Sequence, residues 1–403
     1  MIKGKKIVLG VTGSIAVYKA CEIASKFTQQ GAYVQVVMTK SATEFVSPLT
    51  FRSLTGNAVV TEMWDLSSPM SVEHVSLAQL ADIVVVAPAT ANTIAKIVAG
   101  IADDMLTCTV LATKAPVIIA PAMNVNMYEN PVTQENLRKL ANRGFTIVEP
   151  AQGWLACGIV GKGRLAEVDQ IMGVIRMTLG RNGDLAGKKF VITAGGTQEP
   201  IDPVRHISNR SSGKMGYALA IAARDRGARV TLVSAPVALS NPEGIEVIQV
   251  RTSREMLLAV NQAVVDAEVL IKAAAVTDYR PVKSYNEKIK KSDNEMTLQL
   301  EKTDDILASV SGNFLKIGFA AESRDLIANA KSKLKQKKLN LIVANDITIP
   351  NSAMESENNQ VVLIDELGKC ENLPLMPKSE VAERILDKVA DLLSGAAKIR
   401  TSN

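Results

Sequence analysis

Short and almost continuous apolar runs recur along the chain, and each ends in a glycine-rich or polar turn. The run KIVLGV at 6–11 leads into the turn TGS, and the run FVITA at 190–194 leads into GGT. Strands that are apolar on both faces are typical of parallel sheets covered on both sides. Helix-like segments such as 15–30 and 216–226 lie between the runs. The pattern predicts an α/β fold with doubly wound sheets that bind ligands at the carboxyl ends of their strands.

The two halves of the chain repeat one plan. The pairs of similar segments are GKKIVLGVTGS (4–14) with GKKFVITAGGT (187–197), GAYVQVV (31–37) with GARVTLV (227–233), and ADIVVVA (81–87) with AEVLIKA (267–273). The pattern is interrupted by GRNGD at 180–184. We therefore predict two tandem Rossmann-like domains, residues 1–183 and 184–403, as expected for a chain too long for one ordinary core.

Composition argues against several classes of protein. The net charge of +5 is small for 403 residues, and aromatic residues, at 4%, are too scarce to stack many bases, which argues against a general nucleic-acid binder. The four cysteines form no C-x-x-C pair, so no zinc signature or disulfide framework is indicated and a reducing cytoplasm is expected. No apolar run has the length of a membrane span. The charged and then apolar start is broken by TGS at 12–14, which favours a first strand over a signal peptide.

Polar turns follow successive strands of the first half: TGSI at 12–15, PATANT at 88–93 and PAMN at 121–124. Free amides and hydroxyls at the start of a helix can bind a phosphate. The last turn could instead hold a carboxylate or cap the next helix, and any of them could be an ordinary turn. His74, near the start of a predicted helix, suits either proton transfer or a structural role. Neither G-x-G-x-x-G nor a P-loop motif is present.

The segment AQGWLACGIVGKGR at 151–164 places Cys157 among four glycines. Glycine at this density predicts a loop, because it weakens helices and strands. A thiol in a loop is a candidate for catalysis, but an idle thiol and half of a disulfide are alternatives.

Together and in this order, these first-half motifs resemble the homo-oligomeric flavin-containing cysteine decarboxylases. In the second half, AGGTQEPID (194–202), VRHISNRSSG (204–213) and AAAVTD (273–278) resemble phosphopantothenate-cysteine ligase. Their fusion resembles the bacterial bifunctional enzymes of coenzyme A biosynthesis, over nearly the whole chain.

For the first half, the resemblance implies a flavodoxin-like fold and FMN, which oxidises the cysteine part of 4'-phospho-N-pantothenoylcysteine so that carbon dioxide can leave. Cys157 matches the proton donor on a flap over the substrate, His74 the catalytic histidine, and Asn124 the asparagine that holds the substrate carboxylate. The matching FMN-binding positions are Gly13, Ser14, Thr39, Pro88, Thr90 and Asn92.

For the second half, the resemblance implies that CTP, with Mg²⁺, activates 4'-phosphopantothenate as an acyl-cytidylate, which the amine of cysteine then displaces. Asn209 matches the asparagine that acts on the acyl-cytidylate, and Lys288 matches an important lysine. The matching CTP-binding positions are Ala273, Ala275, Asp278, Lys288, Asp305, Ile306, Phe319, Lys333 and Lys337. Without the resemblance, residues 331–338 would be interpreted as a solvated helix face.

The resemblance also implies trimers of the first half and dimers of the second, and hence a dodecamer. Three departures from the family pattern affect the expected nucleotide pocket: Asp304 in place of proline, Asn340 in place of aspartate, and a segment 349–357 without the usual glycine and aspartate pattern.

Two other functions are compatible with parts of the sequence. A nicotinamide-dependent oxidoreductase would share the two Rossmann-like domains, but the absence of the G-x-G-x-x-G motif argues against it. A noncatalytic flavoprotein subunit would share the first half, but Cys157 and the ligase-like half argue against it.

Overall fold

The computed structural model describes residues 2–64, 73–154, 158, 160–291, 296–348 and 355–400, with backbone only for Glu73 and 396–400. The chain divides into two compact units, Met1–Leu179 and Gly180–Asn403. The boundary predicted from the sequence follows residue 183. Within the described residues, no helix is both long and apolar enough to cross a membrane.

The first unit alternates strands with helices, as the apolar runs predict. Its strands are β1 (Lys6–Val11), β2 (Tyr33–Met38), β3 (Ile83–Ala89), β4 (Val117–Pro121), β5 (Thr146–Ile147), β6 (Ala151–Trp154) and β7 (Val160–Arg164). Its helices are α1 (Val17–Gln29), α2 (Lys40–Thr43), α3 (Pro48–Thr55), α4 (Glu73–Leu80), α5 (Ala91–Ala99), α6 (Met105–Ala112), α7 (Val125–Glu129), α8 (Pro131–Asn142) and α9 (Val168–Gly180).

Its main sheet has the parallel order β2-β1-β3-β4-β5, and β6 and β7 form a separate antiparallel hairpin. Every residue of β3 is buried, because helices cover both faces. The order is that of flavodoxin-like folds, so the predicted doubly wound class is confirmed. β1 and β3 are parallel neighbours, but the chain adds strands on one side of β1 first and then on the other. This reversal of strand order places a crevice at the carboxyl ends of β1 and β3.

The second unit contains a larger sheet. Its strands are β8 (Lys189–Ala194), β9 (Gln198–Pro200), β10 (His206–Ser208), β11 (Arg229–Ser234), β12 (Glu246–Gln249), β13 (Val269–Lys272), β14 (Tyr279–Pro281), β15 (Leu300–Lys302), β16 (Leu315–Glu322), β17 (Leu341–Asp346), β18 (Asn358–Asp365) and β19 (Cys370–Pro377). Its helices are α10 (Lys214–Asp225), α11 (Ser253–Ala263), α12 (Ile306–Ser309), α13 (Leu326–Gln336) and α14 (Lys378–Arg400).

The sheet order is β12-β11-β8-β13-β16-β17-β18-β19. The strands from β12 to β17 are parallel, whereas β18 and β19 add an antiparallel edge. The order reverses between β8 and β13, so this unit also has a crevice between two central strands.

The sequence repeat is also a structural repeat. Asp82 accepts a hydrogen bond from the Lys6 amide at 2.7 Å, and Glu268 accepts one from the Lys189 amide at 2.7 Å. The strand registers agree as well, since Gly10 pairs with Val86 and Thr193 pairs with Lys272. Val86 and Lys272 therefore occupy equivalent positions in the two units.

Candidate active sites

The polar turns of the first unit line one cleft of about 570 Å³ at the carboxyl ends of its strands. Gly13 and Ser14 follow β1, Thr39 follows β2, and Thr90 and Asn92 follow β3. The structure thus brings together these five predicted FMN positions. Pro88, the sixth, is buried in β3 and does not line the cleft.

Thr12 joins the turn after β1 to the turn after β3. Its hydroxyl donates to the Pro88 carbonyl at 2.7 Å and accepts from the Thr90 amide at 3.0 Å. The side chain is 1% exposed, so water competes little for these bonds. The Pro88 carbonyl therefore helps to hold these two turns in register.

The cleft has an anion-binding end and an apolar side. No described group accepts a hydrogen bond from the amides of residues 13–15, which precede α1, and the first turn of this helix has no acidic residue. These amides and the helix dipole favour an anion. Ile15, Phe45 and Met127 line the same cleft and are exposed, so they offer apolar surface to a planar ligand.

His74 and Asn124 are not among the residues that line this cleft. His74 is half-buried on α4, which packs against α6. Asn124 is the N-cap of α7, where its Oδ1 accepts from the Asn126 amide at 2.9 Å. Of the two roles that the sequence left open, capping is the one seen in the structure.

Cys157 lies outside the described residues, but the hairpin stem on either side of it is described. The Met123 amide donates to the Gly163 carbonyl of β7 at 3.0 Å. A Cβ on Gly163, whose φ is +149°, would lie 2.5 Å from the Met123 carbonyl oxygen. The stem thus packs directly on the turn that contains Asn124.

A carboxylate also holds the same stem. Glu149 accepts from the Lys162 ammonium of β7 at 2.6 Å and from the Tyr128 hydroxyl at 2.9 Å. The hydrogen bond from Lys162 lowers the pKa of Glu149 below its ordinary value, although partial burial opposes this.

The contact at Gly163 leads to a testable prediction. Gly163→Ala should lower the rate of decarboxylation about tenfold or more. The positive φ and the Met123 carbonyl oxygen leave no room for a methyl group, so the stem and the turn that contains Asn124 would have to move apart. Gly153→Ala on β6 is the matched control, since its Cβ would meet nothing closer than the Arg164 guanidinium at 3.4 Å. Steady-state decarboxylation of supplied substrate measures both. Equal rates for the two variants would contradict a positioning role for the stem.

The second unit has two adjoining clefts at the carboxyl ends of its central strands. The smaller, of about 240 Å³, is lined by the predicted positions Asp278, Asp305, Ile306 and Lys337. The larger, of about 620 Å³, is lined by Asn209, Ala273, Ala275, Asp278 and Phe319. Lys272, Val276 and Asp278 line both.

A buried network holds the turn after β13. The Thr277 amide donates to the Thr197 hydroxyl at 3.0 Å, and the Thr277 hydroxyl donates to Glu199 at 3.1 Å. Asn209 is tied to the same turn, since its Nδ2 donates to the Val276 carbonyl at 3.0 Å. The segment that carries Asn209 and the turn after β13 are therefore positioned together.

Charge in the smaller cleft is partly compensated. The Lys337 ammonium lies 2.8 Å from an Asp305 carboxylate oxygen. Burial would raise the pKa of Asp305, but the hydrogen bond and positive charge of Lys337 outweigh it and leave this pKa below its ordinary value. Lys333 does not line the cleft and is paired with Glu322 at 2.6 Å.

Lys288 is exposed and lines neither cleft. Its neighbour Ile289 is anchored, because the Ile289 amide donates to Asp202 at 3.1 Å and its carbonyl accepts from Arg205 at 2.9 Å. The Arg205 guanidinium holds the pKa of Asp202 well below its usual range. The loop is thus anchored directly next to Lys288, which the sequence analysis predicted to act in ligation.

Two lysines at these clefts were missed by sequence reasoning. Burial lowers the pKa of Lys272 to about 8, and burial likewise lowers the pKa of Lys378, which lines the larger cleft, to about 8. The signal for Lys272 was present in the sequence, since a lysine ends an otherwise apolar strand where the first repeat has Val86. Across the described part of the chain, no group of three His, Cys, Asp or Glu residues could hold a metal ion.

Comparison with known proteins assigns each half to a family. Residues 1–180 match the family described as Flavoprotein, and residues 185–393 match the DNA/pantothenate metabolism flavoprotein C-terminal domain. The chain is 45% identical over 398 residues to the coenzyme A biosynthesis bifunctional protein CoaBC of Bacillus subtilis, covering 97% of this chain and 98% of that protein.

Two solved structures are similar to one half each. The C-terminal domain of a coenzyme A biosynthesis bifunctional protein CoaBC is 41% identical and covers 53% of this chain and 99% of its own, with a TM-score of 0.46. The FMN binding protein AtHal3 is 33% identical and covers 43% of this chain and 96% of its own, with a TM-score of 0.38.

A flavodoxin-like flavoprotein unit fused to a second α/β unit defines a two-domain flavoenzyme. The identity over almost the whole length shows that the chain belongs to the family of bifunctional proteins of coenzyme A biosynthesis. It is a bifunctional enzyme with a decarboxylase half and a ligase half. Both alternatives left by the sequence, a nicotinamide-dependent oxidoreductase and a noncatalytic subunit, are thereby excluded.

Proposed function

We propose that residues 1–183 carry FMN-dependent decarboxylation of 4'-phospho-N-pantothenoylcysteine and that residues 184–403 carry its synthesis from 4'-phosphopantothenate, cysteine and CTP with Mg²⁺. The observation that carries this proposal is that each unit gathers its polar turns into a cleft at the point where its strand order reverses. Ligands of open α/β sheets bind at this point.

The first cleft fits FMN. The amides before α1, with the hydroxyls of Ser14 and Thr90, would hold the phosphate, and the apolar side chains of Ile15, Phe45 and Met127 would pack on the ring. When bound, FMN would supply the two-electron oxidation of the substrate's cysteine part and the later return of a hydride.

The chain's own residues would bind the substrate and move its protons. The Asn124 amide would donate to the substrate carboxylate, and His74 would serve the proton transfers of the oxidative half. Cys157 would give a proton to the decarboxylated carbon. The β6–β7 hairpin, fixed through Gly163 and Glu149, would exclude water from the site.

In the ligase half, the carboxylate of 4'-phosphopantothenate would attack the α-phosphorus of CTP, and pyrophosphate would leave. The amine of cysteine would then attack the acyl carbon, and CMP would leave with loss of one proton. Lys337 and the anchored Lys288 loop would supply positive charge, while Mg²⁺ would be held mainly by the phosphates of CTP. Asn209 would contact the acyl-cytidylate from the larger cleft.

We further propose a dodecamer of first-unit trimers linked by second-unit dimers, in the cytoplasm. The first unit exposes the large apolar side chains of Ile15, Tyr18, Phe45 and Trp64, which a contact between subunits would cover. A closed assembly would contain both the threefold contacts between first units and the twofold contacts between second units. The cysteines Cys21, Cys108 and Cys370 are free thiols, which suits a reducing compartment. Light scattering that gave the mass of one chain would contradict the assembly.

The full-length enzyme tests the function directly. With 4'-phosphopantothenate, cysteine, CTP and Mg²⁺ we expect pyrophosphate, carbon dioxide and 4'-phosphopantetheine in equal amounts. Leaving out CTP or chelating Mg²⁺ should abolish pyrophosphate release but spare decarboxylation of supplied 4'-phospho-N-pantothenoylcysteine. Turnover that did not depend on CTP, or a purified enzyme without flavin absorbance, would contradict the proposal.

A further inference from the structure

Lys272 occupies an unusual place in the second unit. It is the last residue of β13, one of the two strands between which the sheet order reverses. It lines both the smaller and the larger cleft. Its side chain is therefore at the place where ligands bound in the two clefts would meet.

The internal repeat shows that the fold does not require a lysine here. At the equivalent register of the first unit, Val86 is fully buried and packs with Ile94 and Leu106. Lys272 is only partly buried, but placing even a partly desolvated cation where a valine would fit costs free energy. Packing alone therefore does not explain a lysine at this position.

The neighbouring charges do not account for Lys272. Lys337 is paired with Asp305 at 2.8 Å, and Lys333 is paired with Glu322 at 2.6 Å. Among the described residues, no carboxylate lies within ion-pair distance of the Lys272 ammonium and no hydrogen bond to it is formed. The charged groups that act on it are Lys333 of α13, Lys337 directly after α13, Asp305 before α12 and Asp278 after β13. Lys302 and Asp304 line the smaller cleft as well.

We infer that Lys272 is a catalytic residue of the ligase half, whose ammonium draws together the carboxylate of 4'-phosphopantothenate and the α-phosphate of CTP. This inference rests on the proposed function. In the step concerned, the carboxylate oxygen forms a bond to the α-phosphorus and the bond to pyrophosphate breaks. Both reactants are anions, so a cation between them reduces their repulsion and stabilises the charge of the transition state.

The protonation behaviour agrees with this geometry. Burial and the positive charges of Lys337 and Lys333 lower the pKa of Lys272 to about 8, whereas Asp305 and Asp278 oppose this. The cation is the active form, so it is present below pH 8 and is lost as the pH rises through 8. Activity of the free enzyme in this step should therefore fall above about pH 8.

The experiment isolates the first chemical step in the full-length enzyme. Pyrophosphate released in one turnover is followed with 4'-phosphopantothenate, CTP and Mg²⁺ but without cysteine, whose own titration would obscure the pH profile. Lys272→Met should lower the rate at saturating substrates about 10²-fold. Lys272→Arg should recover most of that loss. At substrate concentrations below saturation, where the rate reports the free enzyme, Lys272→Arg should lack the decline above pH 8, since a guanidinium stays charged.

Lys335→Met is the matched control, because it removes one exposed positive charge from α13 without touching either cleft. It should release pyrophosphate at the wild-type rate. A wild-type rate in Lys272→Met would overturn the inference and leave the proposed function standing. A slow Lys272→Met that is not rescued by arginine and melts at a lower temperature would also overturn it, in favour of a structural role. If the wild-type enzyme itself released no pyrophosphate from CTP, the proposed function would fail first.

Discussion

Cys157→Ser should halt the decarboxylase after carbon dioxide has left, with full turnover lowered about 10³-fold. Serine is nearly isosteric with cysteine, but its hydroxyl has a much higher pKa and is a poor acid. Oxidation of the substrate and loss of carbon dioxide precede the proton transfer that we assign to Cys157. The variant should therefore bind FMN, release one equivalent of carbon dioxide and accumulate an oxidised enethiol in place of 4'-phosphopantetheine.

Stopped-flow absorbance and mass spectrometry of the products would follow these events. The visible absorbance of bound flavin should be lost once and should not recover. Cys108→Ser is the matched control, since burial raises the pKa of this thiol, which donates to the Ala102 carbonyl at 3.2 Å. It should turn over normally. Product formation by Cys157→Ser at the wild-type rate would leave its thiol without a catalytic role.

His74→Asn should fail earlier than Cys157→Ser, with little carbon dioxide and no loss of flavin absorbance, because we place the histidine in the oxidative half. A His74 variant that behaved like Cys157→Ser would show that the two roles are assigned wrongly.

The sequence predicted the central parallel strands of both units, because burial on both faces imposes apolar runs such as those of β1 and β3. It also predicted the polar turns that form the clefts, since the carboxyl ends of parallel strands meet at one edge of a sheet. The antiparallel edge was not predicted. In β18, buried and less buried residues alternate, which is a weaker signal than a continuous apolar run.

The candidate sites were predictable only where a turn follows directly from a strand. Lys272 ends a strand, and no local pattern shows that this end opens onto two clefts. For Lys288 and His74 the situation is reversed: the family resemblance names them, although neither lines any of the three clefts described above. The roles proposed for them require ligands or neighbouring subunits, which local sequence pattern does not encode.

Asn209 and Lys288 should affect different steps of ligation. In Asn209→Asp, a carboxylate would replace the amide that donates to the Val276 carbonyl at 3.0 Å, so it would lose this bond and place a negative charge beside a phosphate ester. We expect pyrophosphate release in the first turnover to persist, with transfer of the acyl group to cysteine slowed about 10²-fold. The acyl-cytidylate should therefore accumulate.

Lys288→Gln should instead slow pyrophosphate release itself, by about 10²-fold, because it removes a cation that the anchored loop supplies to the triphosphate. Lys290→Gln is the matched control, since Lys290 is also exposed and lies two residues further along the loop. Rapid-quench measurement of pyrophosphate, acyl-cytidylate and ligated product separates the two steps. Both variants should decarboxylate supplied 4'-phospho-N-pantothenoylcysteine at the wild-type rate, because that chemistry is assigned to the other unit. Loss of decarboxylation in a folded Asn209 or Lys288 variant would show that the division of labour between the two units is wrong.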